Sequence, residues 1–167
     1  MIRRFLTLTI PFVLMSCSEG TSTITETGND LPTVVSNDIQ ESLGMFQEDG
    51  TLKEGWYPKV TRVNSGQTEM IIVDYTDDPA YTEEPMFCGT SGCGLVIYAG
   101  TNGSYKNVWE HNVLGYKVNN PNDGSILLEF NMRSWVCKKG GDGFECTVKF
   151  KFDGNRMINT DGNFSVT

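Results

Sequence analysis

The sequence predicts a mainly β domain, built from antiparallel hairpins into a sheet, sandwich or small barrel, with one short N-terminal helix and two disulfides. Three observations predict it. Strand-like runs fill most of residues 56–160, some with strict apolar/polar alternation; turn signals separate them at short spacing; and four cysteines remain once Cys17 near the N-terminus is set aside. No long helical pattern follows any of these runs, so a parallel sheet has nothing to cross over with. One core suffices for roughly 130 residues.

The N-terminus reads Met1-Ile-Arg-Arg-Phe5, with two positive charges ahead of an apolar run from Phe5 to Met15. A membrane-spanning helix needs about 20 apolar residues. This shorter run, interrupted by Thr7, Thr9 and Pro11, has the layout of a secretory signal instead. Leu14-Met15-Ser16-Cys17 resembles the lipobox of bacterial lipoproteins, in which a small residue precedes a cysteine that is acylated and becomes the new N-terminus. Residues 1–16 are therefore expected to be a signal peptide and Cys17 the lipidated residue, inserted through its acyl chains into the bilayer. By the sorting rule of such lipoproteins, Ser18 rather than Asp after the anchor points to the periplasmic face of the outer membrane in a double-membraned bacterium. Residues 17–33, rich in Ser, Thr, Gly and charge, are expected to form a flexible tether, and 34–167 a single disulfide-bonded β domain.

Ser36-Asn37-Asp38 offers capping side chains, and Ile39, Leu43 and Phe46 follow on one helical face, ended by Gly50. Tyr57–Val63 and Glu69–Tyr75, joined through Asn64-Ser-Gly-Gln67, read as a hairpin. Gly94–Ala99 and Tyr105–Glu110 flank Thr101-Asn-Gly-Ser104 as a second. Tyr116–Val118 and Ser125–Phe130 flank Asn119–Gly124 as a third. Trp135–Cys137 is expected to pair with Cys146–Phe152, where Thr147, Lys149 and Lys151 alternate with Val148, Phe150 and Phe152. Asp153-Gly154 then turns the chain into a last strand, Met157–Thr160.

With Cys17 set aside, Cys88, Cys93, Cys137 and Cys146 allow three disulfide connectivities. Two local pairs are the economical choice, because each pair brackets a short glycine-bearing loop. A four-cysteine zinc site would require unusual spacing, and without C-x-x-C a redox site has no signature. The stretch Phe87-Cys-Gly-Thr-Ser-Gly-Cys-Gly94 is similar to a C-G-x-x-G-C motif, followed by a strand, in exported bacterial proteins of families without an established activity. Those proteins carry a later cysteine pair before an aromatic-x-Gly turn, matched here by Cys137, Cys146 and Phe152-Asp-Gly154. The resemblance covers about 57–160 and implies a small disulfide-bonded β domain in the periplasm.

Loss of Arg3 and Arg4 with the signal takes the 13 Lys and Arg to 11 against 21 Asp and Glu, a net −10. That excess disfavours nucleic acid and anionic head groups and suits a cationic protein partner. The densest polar cluster, Asp74, Asp77, Asp78, Glu83 and Glu84, is a weak candidate for calcium; a solvated acidic loop explains it as well, and no other cofactor is indicated. No catalytic residue stands out: His111 is the single histidine, and no nucleophile motif accompanies it. Tyr81 and Phe87, aromatic residues in loops, are candidates for partner contact. The expected function is a lipid-anchored, non-catalytic binding module, such as an inhibitor or immunity protein against a cell-wall hydrolase. A structural envelope lipoprotein and a carboxylate-dependent hydrolase are the alternatives. If loops 76–94 and 138–145 converge on one face, that face is the candidate site.

Overall fold

The computed structural model describes residues 24–26, 30–47, 56–65, 68–76, 87–101, 103–119, 125–140 and 143–165. The chain forms three layers: one helix, a first sheet and a second sheet. The helix α1 is Thr33–Gln47. The first sheet contains β1 (Ile24–Glu26), β2 (Lys59–Ser65), β3 (Thr68–Asp74), β4 (Cys88–Gly89), β5 (Gly92–Thr101) and β6 (Ser104–Val113). The second contains β7 (Gly115–Asn119), β8 (Ile126–Arg133), β9 (Glu145–Phe152) and β10 (Met157–Asn159). Every pairing is antiparallel. The first sheet runs β1-β2-β3-β5 with β6 beyond β5, and the second runs β10-β9-β8-β7. The sheets face one another and remain separate, so the sandwich is realised and the barrel is not.

The apolar pattern explains the layering. In β3, Met70, Ile71, Ile72 and Val73 are all fully buried. Met70 and Ile72 face the second sheet, while Ile71 and Val73 face the helix. A strand covered on both sides needs a continuous apolar run, and this one has it. The second sheet is covered on one side only and alternates accordingly: Cys146, Val148, Phe150 and Phe152 point in, and Glu145, Thr147, Lys149 and Lys151 point out. Between the sheets, Trp109 stacks on Phe130 at 4.1 Å between ring centroids, and Phe150 and Phe164 fill the space beside them. The helix buries Val35, Ile39 and Leu43, spaced four residues apart, against Val60, Ile71, Val73 and Tyr98.

The sheets are joined at a sharp corner. Only Leu114 separates β6 from β7, and its N–H donates to Asn131 O at 2.7 Å. One long strand thereby changes sheets, as at the corners of orthogonally packed sandwiches. Gly92 makes the corner possible: its φ is +107°, and a Cβ there would lie 2.3 Å from the Val113 carbonyl oxygen.

Three expectations are corrected. The helix starts at Thr33, after Pro32, rather than at the Ser36 cap; Val35 extends the buried stripe by one turn, and Ser36 N–H already donates to Pro32 O. The stretch 17–33 is not all tether, because Ile24–Glu26 pairs with Thr61–Val63 as an edge strand. Trp135 and Val136 form a 3₁₀ turn, and it is β8, not 135–137, that pairs with β9. The Cys137–Cys146 cross-link closes that hairpin, and Cys137 bridges instead to Phe164.

Candidate functional site

Both disulfides are local, Cys88–Cys93 and Cys137–Cys146. Cys88 opposes Cys93 and Gly89 opposes Gly92, which leaves Thr90-Ser91 as a two-residue tip. The second disulfide closes the β8–β9 hairpin, where Ser134 N–H donates to Phe144 O at 2.9 Å. These two clamped tips meet: Arg133, the last residue of β8, donates from Nε to Thr90 O at 2.8 Å. The two cross-linked hairpins therefore meet at one end of the sandwich, beside the Leu114 corner, while 77–86 and 141–142 of the loops named from the sequence lie outside the described residues. Trp135 is 58% and Phe144 76% exposed there, the largest exposures among the described large apolar side chains.

Two open depressions adjoin this end. The smaller, about 520 Å³, lies between α1 and β6. Its lining includes Ser42, Tyr75, Phe87, Val96, Glu110 and Asn112. Phe87 lies 4.7 Å from Tyr75 and 5.6 Å from Trp56 between ring centroids, so it is an aromatic wall rather than a free loop side chain. Asn107 Nδ2 donates to Glu110 Oε2 at 3.0 Å. Tyr98 OH donates to Asp38 Oδ2 at 2.9 Å, one helical turn before Ser42. Burial first, then its bond to the Asp38 carboxylate and the charges of Asp38 and Glu110, hold the Tyr98 phenol far above its ordinary value. Burial also raises Tyr75, with the negative charges of Glu110 and Asp38 adding to it against a hydrogen bond with Ser42.

The larger depression, about 900 Å³, crosses the outer face of the second sheet beneath the second disulfide. Lys117, Glu129, Asn131, Lys139, Glu145 and Asn163 are among its walls. Its polar groups are largely engaged with one another. Lys149 pairs with Glu129 at 3.4 Å, and Asn131 Nδ2 donates to Glu145 at 2.9 Å. Lys139 Nζ donates to Asp161 O at 2.6 Å. Glu145 opposes Arg133 and Glu129 opposes Lys149, four residues along β8, so the two carboxylate-bearing Cα atoms stand roughly 14 Å apart.

Of the candidate residues, Asp74 is buried, and its Oδ1 accepts Thr76 N–H at 2.8 Å, a local turn bond. Asp77, Asp78, Tyr81, Glu83 and Glu84 lie outside the described residues, as does Cys17. Among the described residues, no three His, Cys, Asp or Glu side chains come together as a metal site. His111 sits between the Trp109 and Phe164 rings; burial lowers its pKa against the opposing pull of Glu110, so the ring is neutral near pH 7. The sequence reading missed Glu110 and Trp135 as site residues. Neither belongs to a motif; Trp135 lies two residues before Cys137, whereas only the fold brings Glu110 to the disulfide end. No family model, curated protein or solved structure matches the chain.

Proposed function

We propose that this protein is a lipid-anchored envelope module that binds a protein partner without converting it, and that the disulfide end is its docking end. The observation that carries this reading is the junction of the two cross-linked hairpins through Arg133 and Thr90, with Trp135 and Phe144 exposed beside it. Rigid loops lose little entropy on binding, and exposed aromatic side chains are the usual anchors of interfaces. Topology adds a direction. The chain enters β1 at the level of Val63, on the side of the β2–β3 turn. Val63 lies level with Ala99 through Met70, and Cys93 follows six residues along β5, roughly 20 Å away. A lipid on Cys17, seven residues before β1, would thus hold the far end near the outer membrane and present the disulfide end to the periplasm.

An inhibitor or immunity protein against a cationic cell-wall hydrolase is the sharpest form of this reading. It is tested by capture from envelope extract and by a lysozyme-type assay, using residues 18–167 and the Trp135→Ala/Phe144→Ala variant. Capture of a basic protein and lowered hydrolase activity, both lost in the variant, are expected. Equal capture by both chains, or none by either, would overturn the docking end. The anchor is tested separately by fatty-acid labelling, which should disappear on Cys17→Ser.

A further inference from the structure

The cleft between α1 and β6 combines features that select a ligand class. One wall is aromatic, formed by Tyr75 and Phe87, with Trp56 stacked behind Phe87. The floor is apolar at Val96, and Glu110 contributes a carboxylate. Among the described residues the lining contains no Lys or Arg, and its one histidine, His111, whose pKa is lowered by burial, packs its ring toward Trp109 and Phe164. Asp38 adds a second negative charge close by, on Tyr98. The Asn107 amide orients one Glu110 oxygen, and the other accepts no hydrogen bond among the described residues. Aromatic faces beside an unneutralised carboxylate attract organic cations through both charge and ring quadrupole.

We propose that the α1–β6 cleft receives one cationic side chain of the protein partner, an arginine guanidinium or a lysine ammonium, lying on Phe87 and Tyr75 and paired with Glu110. An anionic ligand meets no cationic side chain among the described residues of the cleft. The larger depression on the second sheet is a poorer receptor for a cation, because Lys117 and Lys139 line it, Glu129 is paired with Lys149 and Glu145 accepts the Asn131 amide. The position of the cleft is consistent with the docking end, since Phe87 immediately precedes Cys88 of the first disulfide. This inference deepens the binding reading above and names what the site recognises, without depending on the lipid anchor.

The test is an amide-resolved NMR titration of residues 18–167, which retain every described residue. The probe is acetyl-Gly-Arg-Gly-amide, and its neutral citrulline counterpart is the control. Saturable shifts confined to residues around Phe87, Val96 and Glu110, absent with citrulline, are the expected result. Glu110→Gln should weaken binding at least fivefold. Glu145→Gln removes the same charge from the other sheet and should leave affinity within twofold. Asn112→Lys, a surface change that places a cation in the cleft, should abolish the shifts while the rest of the spectrum stays folded. Shifts scattered over all acidic residues, equal weakening by Glu110→Gln and Glu145→Gln, or equal binding of citrulline would each overturn the assignment. A silent cleft together with successful partner capture would refute this inference and leave the binding module standing.

Discussion

The chain carries the same tripeptide twice, Asp153-Gly154-Asn155 and Asp161-Gly162-Asn163, and the two copies make different bonds. Asp153 Oδ1 accepts the N–H groups of Asn155 and Arg156 at 2.9 Å each, inside its own turn. Asp161 reaches across: Oδ2 accepts Lys149 N–H of β9 at 2.9 Å, while Oδ1 accepts Asn163 N–H and Asn159 Nδ2 at 2.9 Å each. With Asn163 Nδ2 donating to Thr147 O at 3.1 Å, side chains finish the edge of β9 where β10 has ended. Asp161→Ala removes three charge-assisted bonds, each worth about 1.5–3 kcal/mol when shielded. Water replaces part of that at this half-exposed position, so a net loss of about 2 kcal/mol is expected at pH 7. With a urea slope near 2 kcal/mol/M, the midpoint falls by about 1 M. Burial alone would raise the Asp161 pKa, but the bonds from Asn163, Asn159 and Lys149 and the charge of Lys139 hold it below its ordinary 3.8. Its stabilisation is therefore complete above pH 3.8 and is lost as pH falls through the lower folded-state value. Urea curves from pH 7 to pH 2 should show a constant gap between the wild-type chain and Asp161→Ala down to about pH 4, closing below it. Asp153→Ala should cost less at every pH. A gap under about 0.5 kcal/mol at pH 7, or one independent of pH, would refute the clamp.

Removing the second disulfide as Cys137→Ser/Cys146→Ser reopens a loop of nine residues' separation and should cost about 3 kcal/mol in non-reducing unfolding curves. Gly92→Ala meets both a φ of +107° and the Val113 carbonyl, so a loss above about 3 kcal/mol is expected. Gly143→Ala has a φ of +76° but open space, and should cost only about 1 kcal/mol when both glycine variants are compared by thermal melts. Phe130→Ala empties a fully buried site against Trp109 and should cost about 3–5 kcal/mol by urea titration. Trp135→Ala, at 58% exposure, should leave stability within about 0.5 kcal/mol and weaken only partner capture.

What the sequence revealed was local. The hairpins of β2–β3, β5–β6 and β7–β8 could be read because period and turn residues sit in the same few positions, and the alternation of β9 announced one covered face. Edge strand β1 could not be read: Ile24-Thr25-Glu26 lies in a polar stretch, and its pairing with β2 is a contact across more than thirty residues. Trp135, Val136 and Cys137 all favour strands and so predict one, whereas closure of the hairpin sets a 3₁₀ turn at Ser134–Val136. For the site, the local disulfide pairs were legible from spacing, but the Arg133–Thr90 contact joins segments 43 positions apart. Phe87 was singled out as a loop aromatic; stacking on Tyr75 and Trp56 makes it a wall of a cleft whose carboxylate, Glu110, comes from another strand.

Charge is where the average misled most. Residues 18–114 hold four basic and fifteen acidic side chains, a net −11, whereas 115–167 hold seven and six, a net +1. The division falls at the Leu114 corner, and among the described residues it sets the helix and first sheet, with Asp38, Glu41, Glu69 and Glu110, apart from the second sheet. Lys117, Lys149 and Lys151 face outward from the second sheet, with Glu129 between Lys117 and Lys149 and Glu145 at the start of β9. Within a Debye length of about 8 Å, a partner therefore meets two different surfaces. Repulsion of anions holds on the helix side and fails on the other. A cationic partner would be drawn by charge to the helix side, where Glu110 and the aromatic wall lie, and would meet Trp135 and Phe144 on the second sheet's hairpin without such attraction. Under the binding reading proposed above, the orientation of a partner would follow from the break in charge at Leu114 as much as from the shape of the cleft.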